Sequence, residues 1–531
     1  MRVWNGWGEE GGGEIVLGEA ARAFLLHAVG AATPTRDAAL SEVLSAVPAS
    51  RLPDVSPFDP DPGLRLRHAR GQSFPDWIAL RFGRLGPVAD GVALPATHEE
   101  AAQALAGAQK LGALVIPYGG GTSVVGHLQV PRGDRSVVNI SLERMNRLFD
   151  LDEASLLARF GAGTPGPQIE AQLARRGYLL GHFPQSYEYS TVGGWVVTRS
   201  SGQQSLRYGR IEQLFAGGRL ATPRGELRVG GHPASSAGPD LRECVLGSEG
   251  RLGLITEATV RVRVLPERED FHAVFFPTWE LGVEAVRHLV QSDIPLSMLR
   301  LSNPAETETQ LTLAGHEKAI AWLKRYLRLR GSGLKPAMLM IGFTGINRDV
   351  LRARREALTV AKQCRGVHAG KAMGKTWAAK RFYGPYLRNA LWQAGYGVDT
   401  VETAVNWPQV STTVFAIEEA ARRALTAAGE RVLAFTHLSH VYRQGCSIYS
   451  TFVFRAAAGY EENLARWERL KRTVSETIVS QGGTISHQHG VGLDHAPYLP
   501  AEKGVLGMDL IRAAARELDP QGMMNPGKLF A

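Results

Sequence analysis

The chain has 531 residues, 44% of them hydrophobic and 21% charged, with a formal net charge of +9. That is an ordinary globular makeup, too large for one simple core, so two or three domains are expected. No apolar run approaches the about 20 residues needed to cross a bilayer. The start, Met1-Arg2-Val3-Trp4-Asn5-Gly6-Trp7-Gly8, lacks a secretory layout. Cys244, Cys364 and Cys446 stand far apart and are odd in number, which argues for a reducing, cytoplasmic setting without a disulfide framework or a cysteine-rich metal cluster. The basic balance invites a nucleic-acid reading, yet the arginines are dispersed and no RNA-binding aromatic pattern, zinc finger or basic arm occurs. Nucleic acid is therefore not expected as a partner, whereas attraction to an anionic substrate or lipid surface is compatible with the charge.

Residues 1–86 read as an N-terminal helical segment and connector. After a Gly/Glu opening, helices are expected over 19–29 and 36–45, and Pro53, Pro57, Pro60 and Pro62 then mark turns. Short β-type runs alternate with helices over 87–268: a short apolar strand at 113–116, helices at 97–111 and 167–176, and strand-like runs at 190–198 and 253–264. Thr97 with Glu100 three residues later predicts a capping box. A second α+β unit is expected over 269–455, with strands at 271–276 and 337–343, helices at 280–291 and 348–363, and paired strands at 433–440 and 447–454. The last stretch, 456–531, predicts a long helix over 460–480 and another from 507 that stops before Pro520, the tail packing back on the first unit.

Three segments carry chemistry. In Pro117-Tyr118-Gly119-Gly120-Gly121-Thr122-Ser123-Val124, bare backbone and two hydroxyls follow an apolar strand, a donor-rich arrangement that suits a pyrophosphate. A tight turn between buried strands reads similarly, and the run is neither a Rossmann fingerprint nor a P-loop. The second segment takes in Pro184, Ser186, Thr191, Gly193, Gly194, Thr198, Arg199, Ser201, Gly202, Tyr208 and Gly209, a dense series of small and hydroxyl-bearing residues able to thread beside a flat ligand. In the third, Glu249, Gly250, Gly253 and Ile255 turn a glycine-rich bend into a buried strand. Ala369 to Thr376 satisfies a relaxed Walker A string but lacks a buried strand before it, so nucleotide hydrolysis is not expected.

In order and spacing these blocks resemble the binding domain of vanillyl-alcohol-oxidase type FAD flavoproteins. The resemblance implies an α+β fold, a two-subdomain FAD-binding domain with an α+β cap domain, and FAD as cofactor. It covers the first loop as pyrophosphate loop, the second as flavin-ring and ribityl loops, and the third as the adenine-side strand. No histidine occurs in the first loop, so the FAD is expected to be noncovalent. A narrower resemblance, to the alkyldihydroxyacetonephosphate synthase family, rests on the opening residues 2–8 and on Tyr386-Leu387-Arg388. It continues through Asp399 to Trp407, Ser439-His440-Val441-Tyr442, Ile448 to Phe452 and Gly482 to Gly492. That family exchanges the acyl chain of acyl-dihydroxyacetone phosphate for a fatty alcohol, using FAD without net redox change. A lipid-phosphate substrate, an apolar tunnel and peripheral contact with a membrane would follow, with room for a homodimer.

His487-Gln488-His489 reads as the chemical centre, because imidazoles titrate near neutral pH and can move a proton beside a carbonyl. A metal pair and plain structural histidines are the competing readings. No third metal ligand is evident by spacing, and none is expected. The family has three histidines here, whereas Gln488 can hydrogen-bond but cannot shuttle a proton. The resemblance also points to Tyr449 as an active-site tyrosine and to Arg300 and Arg388 as anion holders. Gln488 keeps a second reading open, an FAD-linked oxidase or dehydrogenase of a 2-hydroxy acid or related alcohol.

Overall fold

The computed structural model describes residues 1–12, 15–53, 57–313 and 317–530; residues 13–14 of the Gly/Glu opening and 54–56 of the proline connector lie outside them. Two α+β units are built around separate sheets. The first holds a parallel three-stranded sheet, in the order Gly91–Ala93, Val137–Ser141, Leu114–Tyr118. Beside it lies an antiparallel five-stranded sheet ordered Leu148–Asp152, Leu157–Gly161, Leu254–Arg261, Phe215–Thr222, Gly225–Gly230. One apolar core joins the two sheets through the helix His98–Lys110, whose Ala101, Leu105 and Ala108 are buried. Thr97 caps that helix by accepting the Glu100 N–H, while the Glu100 carboxylate reaches the N–H of Ala96, one residue earlier than a capping box requires.

The second unit is a seven-stranded sheet in the order Val367–Gly370, Arg268–Phe276, Ala337–Gly345, Met298–Ser302, Val432–Val441, Gly445–Arg455, Tyr396–Asn406. Its outer face packs under the helices Trp279–Gln291, Asn347–Gln363, Val410–Thr426 and Tyr460–Ser480 in one large core. The expected pair of strands is antiparallel, with His437 opposite Tyr449 and Tyr449 opposite Glu402 on the next strand. At the C-terminus, Val115 donates to the Met523 carbonyl and accepts from the Asn525 N–H, which lays the tail along the parallel sheet.

Four local expectations change. Residues 190–198 are not a strand: Thr191 accepts the Gly194 N–H and starts the helix Val192–Thr198, which the close fit of Gly193 against Ala162 allows. The second N-terminal helix begins only at Leu40, because Asp37 is drawn out to bind Arg81 and the Trp392 indole N–H. The last helix spans Leu499–Leu518 with a kink at Gly504, where φ is +68°. A short edge strand, Val367–Gly370, does precede the Walker-like run, but Lys371 is paired with Asp270. Among the described residues no helix is long and apolar enough to cross a membrane.

Candidate functional site

A cavity of about 700 Å³ lies between the glycine-rich loops of the first unit and the inward face of the seven-stranded sheet. Pro117, Tyr118, Gly119, Gly120, Gly121, Thr122, Ser123 and Val124 form one wall. Pro184, Ser186, Thr191, Gly193, Gly194, Thr198 and Ser201 also line it, as do Glu249, Gly250, Gly253 and Ile255. From the sheet side come Arg300, Arg388, Tyr449, Gln488 and His489.

The first loop is shaped for close approach. A Cβ at Gly120 would strike the Tyr189 carbonyl, and Gly121 adopts φ +67°, so only glycine fits either position. None of the backbone N–H groups from Gly119 to Val124 donates to another protein group among the described residues. Successive backbone donors left open along a turn form an anion-binding concavity. Arg2 braces the loop from behind, donating to the Gly120 carbonyl at 2.6 Å and lying 4.3 Å over the Tyr189 ring.

Five of the expected site residues do not line the cavity. Arg199, with φ +53°, ends a helix and pairs with Glu243. Gly202 packs on Phe183, Gly209 on Gln213, and Tyr208 fills the space above Gly181. His487 is turned away, its Nε2 accepting from Arg210 at 2.5 Å and Tyr442 at 2.6 Å, beside a smaller pocket of about 280 Å³. Arg210 and Tyr442 hold His487 on the far side, so the two histidines of His487-Gln488-His489 separate, and only His489 and Gln488 reach the cavity.

Around His489 the sheet contributes a row of aromatic groups. The Tyr449 ring stacks on His437 at 5.0 Å and meets His489 edge-on at 5.7 Å, while its hydroxyl donates to Thr400 Oγ1 at 3.2 Å. Burial pushes the Tyr449 phenol up to about 12. The same cause lowers His489 below the ordinary histidine value, with Glu402 opposing. Neutral imidazole beside neutral phenol is therefore the state near pH 7. His440 also lines the cavity; Ser201 and Ser205 each lie 3.1 Å from its Nδ1, and burial takes it down to about 3. A register shift between Leu438 and Val441 lets consecutive Ser439 and His440 both face inward.

The two arginines differ in what they have left to offer. Arg300 already bonds the buried Glu306 at 2.6 Å, and although burial opposes it, Arg300 and His437 hold Glu306 down to about 2. Arg388 gives Nη1 to the Gln72 carbonyl at 2.6 Å and lies over Trp77, but its buried Nη2 has no partner. Burial lowers it to about 10, so it stays charged at neutral pH.

Two buried carboxylates, one from each unit, hang the His489 loop in place. Glu402 Oε1 accepts the N–H groups of Gln488 and His489 at 2.6 Å each, and the Ser486 hydroxyl at 3.2 Å. Glu249 accepts those of Val491 and Gly492 and sits 3.0 Å from His127. The Glu249 carboxylate is thus committed to the loop. Sequence reasoning passed over Glu402, Glu306, His437 and His440; period-two alternation along Val432–Val441 was the available signal for His437, while the register shift after Leu438 hides His440 from it.

Residues 89–231 match the model of an FAD binding domain, and residues 265–529 that of the FAD linked oxidases, C-terminal domain. The chain is 32% identical over 473 residues to the alkyldihydroxyacetonephosphate synthase of Dictyostelium discoideum, covering 88% of this chain and 77% of that protein. Against the enzyme of the same name from Trypanosoma brucei brucei it is 32% identical over 480 residues, with the same coverage. A solved alkyldihydroxyacetonephosphate synthase structure superposes with a TM-score of 0.82 at 28% identity, covering 99% of this chain and 98% of that one. The bare first loop, the aromatic row on the capping sheet and these likenesses agree: the chain is an alkyldihydroxyacetonephosphate synthase-like member of the FAD-linked oxidase family, with an FAD-binding domain and a C-terminal cap of the vanillyl-alcohol-oxidase fold.

Proposed function

We propose that this enzyme exchanges the acyl group of an acyl-dihydroxyacetone phosphate for a fatty alcohol, forming an ether lipid precursor. The observation that carries this reading is the apolar limb of the cavity, lined by Phe24, Leu25, Leu387, Leu391, Leu433 and Phe435. A long hydrocarbon chain needs such a limb, and a small hydroxy acid does not. The open loop Gly119 to Ser123 fits the diphosphate of FAD, and Thr191, Gly193, Gly194, Ser201 and Ile255 would hold the rest of it. Bound there, FAD supplies an electron-accepting ring. His489, neutral through burial, takes a proton beside the substrate carbonyl; Tyr449 donates to a substrate oxygen; Arg388 offers its free Nη2 to the phosphate. Arg300, already paired with Glu306, orients His437 rather than meeting the anion alone.

Incubation of the purified protein with acyl-dihydroxyacetone phosphate and labelled hexadecanol is expected to give labelled alkyl product. No product from protein carrying FAD removes this reading. Gln488, whose buried Oε1 has no partner and cannot relay a proton, favours the second reading, oxidation of a hydroxy acid. Anaerobic bleaching of the flavin by such an acid would decide for it.

Two outcomes concern the cofactor itself. Acid precipitation is expected to leave a colourless pellet, since the first loop carries no histidine; colour on the pellet means a covalent link. Gly120→Ala is expected to purify with little flavin, because the loop must shift by a clash costing about 1–3 kcal/mol. The ratio of flavin to protein absorbance measures it, and a wild-type ratio would deny the loop its role.

A further inference from the structure

The His127 imidazole is buried where three segments of the chain meet. Its Nδ1 lies 2.6 Å from the Ser123 hydroxyl of the first loop, and its Nε2 lies 3.0 Å from Glu249 Oε2. The third neighbour is Gly490, the residue after His489. At its φ of +85°, a Cβ there would come within 3.1 Å of the imidazole Nε2 and 2.8 Å of Glu249 Oε1. Facing a carboxylate, Nε2 carries the ring hydrogen, so Nδ1 of the neutral imidazole accepts from the Ser123 O–H. Ser123 Oγ in turn accepts the backbone N–H groups of Val125 and His127, at 3.4 and 3.3 Å. The serine hydroxyl is therefore committed inside the protein: it adds no donor to the open amides of its loop, and it fixes the imidazole instead.

Glu249, on the far side of the ring, accepts the N–H groups of Val491 and Gly492. A run of contacts thus leads from the anion-binding turn, through the imidazole, to the loop that presents His489. The Val125 carbonyl also holds that loop, accepting the Leu493 N–H at 2.9 Å, but it does so at the end farther from His489. While the turn is empty its open N–H dipoles converge without an acceptor, and an anion seated on them fixes the turn and Ser123 with it. We propose that His127 is a positioning residue that ties the seating of a diphosphate on the first loop to the placement of His489. The imidazole does so only while Ser123 and Glu249 hold it from both sides. The proposal rests on the first loop taking the diphosphate of FAD, and not on alkyl transfer.

The test is amide hydrogen exchange over residues 486–494 in flavin-loaded and flavin-stripped protein, without substrate, together with FAD affinity. In the wild type, FAD is expected to slow exchange over this loop. His127→Leu should lose that slowing even at saturating FAD, and should bind FAD about 5- to 150-fold more weakly, the usual span of a coupling between two sites. His127→Gln should restore both, since its NH₂ can face Glu249 while its oxygen accepts from Ser123. Ser123→Ala, which leaves the imidazole and Glu249 in place, should behave as His127→Leu does, and carries the test if that variant does not fold. A merely structural histidine would raise exchange equally with and without FAD, and that result overturns the proposal. So does wild-type exchange that ignores FAD, or a glutamine variant no better than leucine. Each of these can occur while alkyl product still forms, whereas a wild-type protein that takes up no FAD would sink the reading of the first loop itself.

Discussion

Tyr449→Phe is expected to keep its flavin and to lose about 100- to 10,000-fold in kcat, the usual weight of a positioned proton donor. Phenylalanine preserves the stack on His437 and the edge contact with His489, so only the hydroxyl is removed. That hydroxyl is protonated throughout the working range, since burial has pushed it up to about 12. In the proposed reaction it would therefore serve as a donor, and the accepting role would fall to His489. A base works above its own pKa. Because burial lowers His489, activity should persist on acidification past the ordinary histidine range and fall only below it. His127, Lys471, Asp399 and Glu402 face that imidazole, and of these Lys471 and His127 lower it while Glu402 and Asp399 raise it. The acid limb should sit at the same pH in Tyr449→Phe as in wild type, because the phenol is not the group that titrates there. Steady-state kcat at saturating substrate and the visible spectrum of the variant check this. A loss below about tenfold would return Tyr449 to the role of an ordinary aromatic in the sheet.

How far the sequence reached follows from what each residue depends on. Gly120 was legible because a glycine-rich turn straight after a strand is a local signal, although the Tyr189 carbonyl pressed against it comes from a distant loop. The helices Trp279–Gln291 and Tyr460–Ser480 were legible because their apolar spacing survives any surroundings. Residues 192–198 misled because Val192, Val196 and Val197 favour a strand, and only tight packing on Ala162 makes the Gly193-Gly194 helix worthwhile. His487 could not be told from His489 by any local rule. Which imidazole faces the cavity is set by Arg210 and Tyr442 on one side and Glu402 on the other, all distant in the chain. Glu249 was placed on the cavity for its neighbours in sequence, while its carboxylate answers to Val491 and Gly492, more than two hundred residues away.

Glu402→Ala should be the most damaging single change outside the cavity wall. It leaves the N–H groups of Gln488 and His489 and the Ser486 hydroxyl without their acceptor in a site where Glu402 itself is only 2% exposed. Each stranded donor costs about 1–3 kcal/mol, so even the low end gives about 3 kcal/mol, together with a loop free to carry His489 off the Tyr449 edge. Calorimetry should show the lower melting temperature and kinetics a fall in kcat larger than any change in KM. Glu402→Gln separates shape from charge. Its amide oxygen can take over the contacts that Oε1 makes, but its NH₂ must then turn toward His487 Nδ1, 3.8 Å from Oε2 in the wild type. Arg210 can only donate, so His487 Nε2 is the acceptor and Nδ1 bears the proton; two donors then face each other. Stability should recover only in part. If kcat stays low even where melting recovers, the negative charge 3.5 Å from His489 is what keeps that imidazole basic enough to work. Wild-type melting and wild-type kcat in Glu402→Ala would mean that the loop holds His489 without help from the cap.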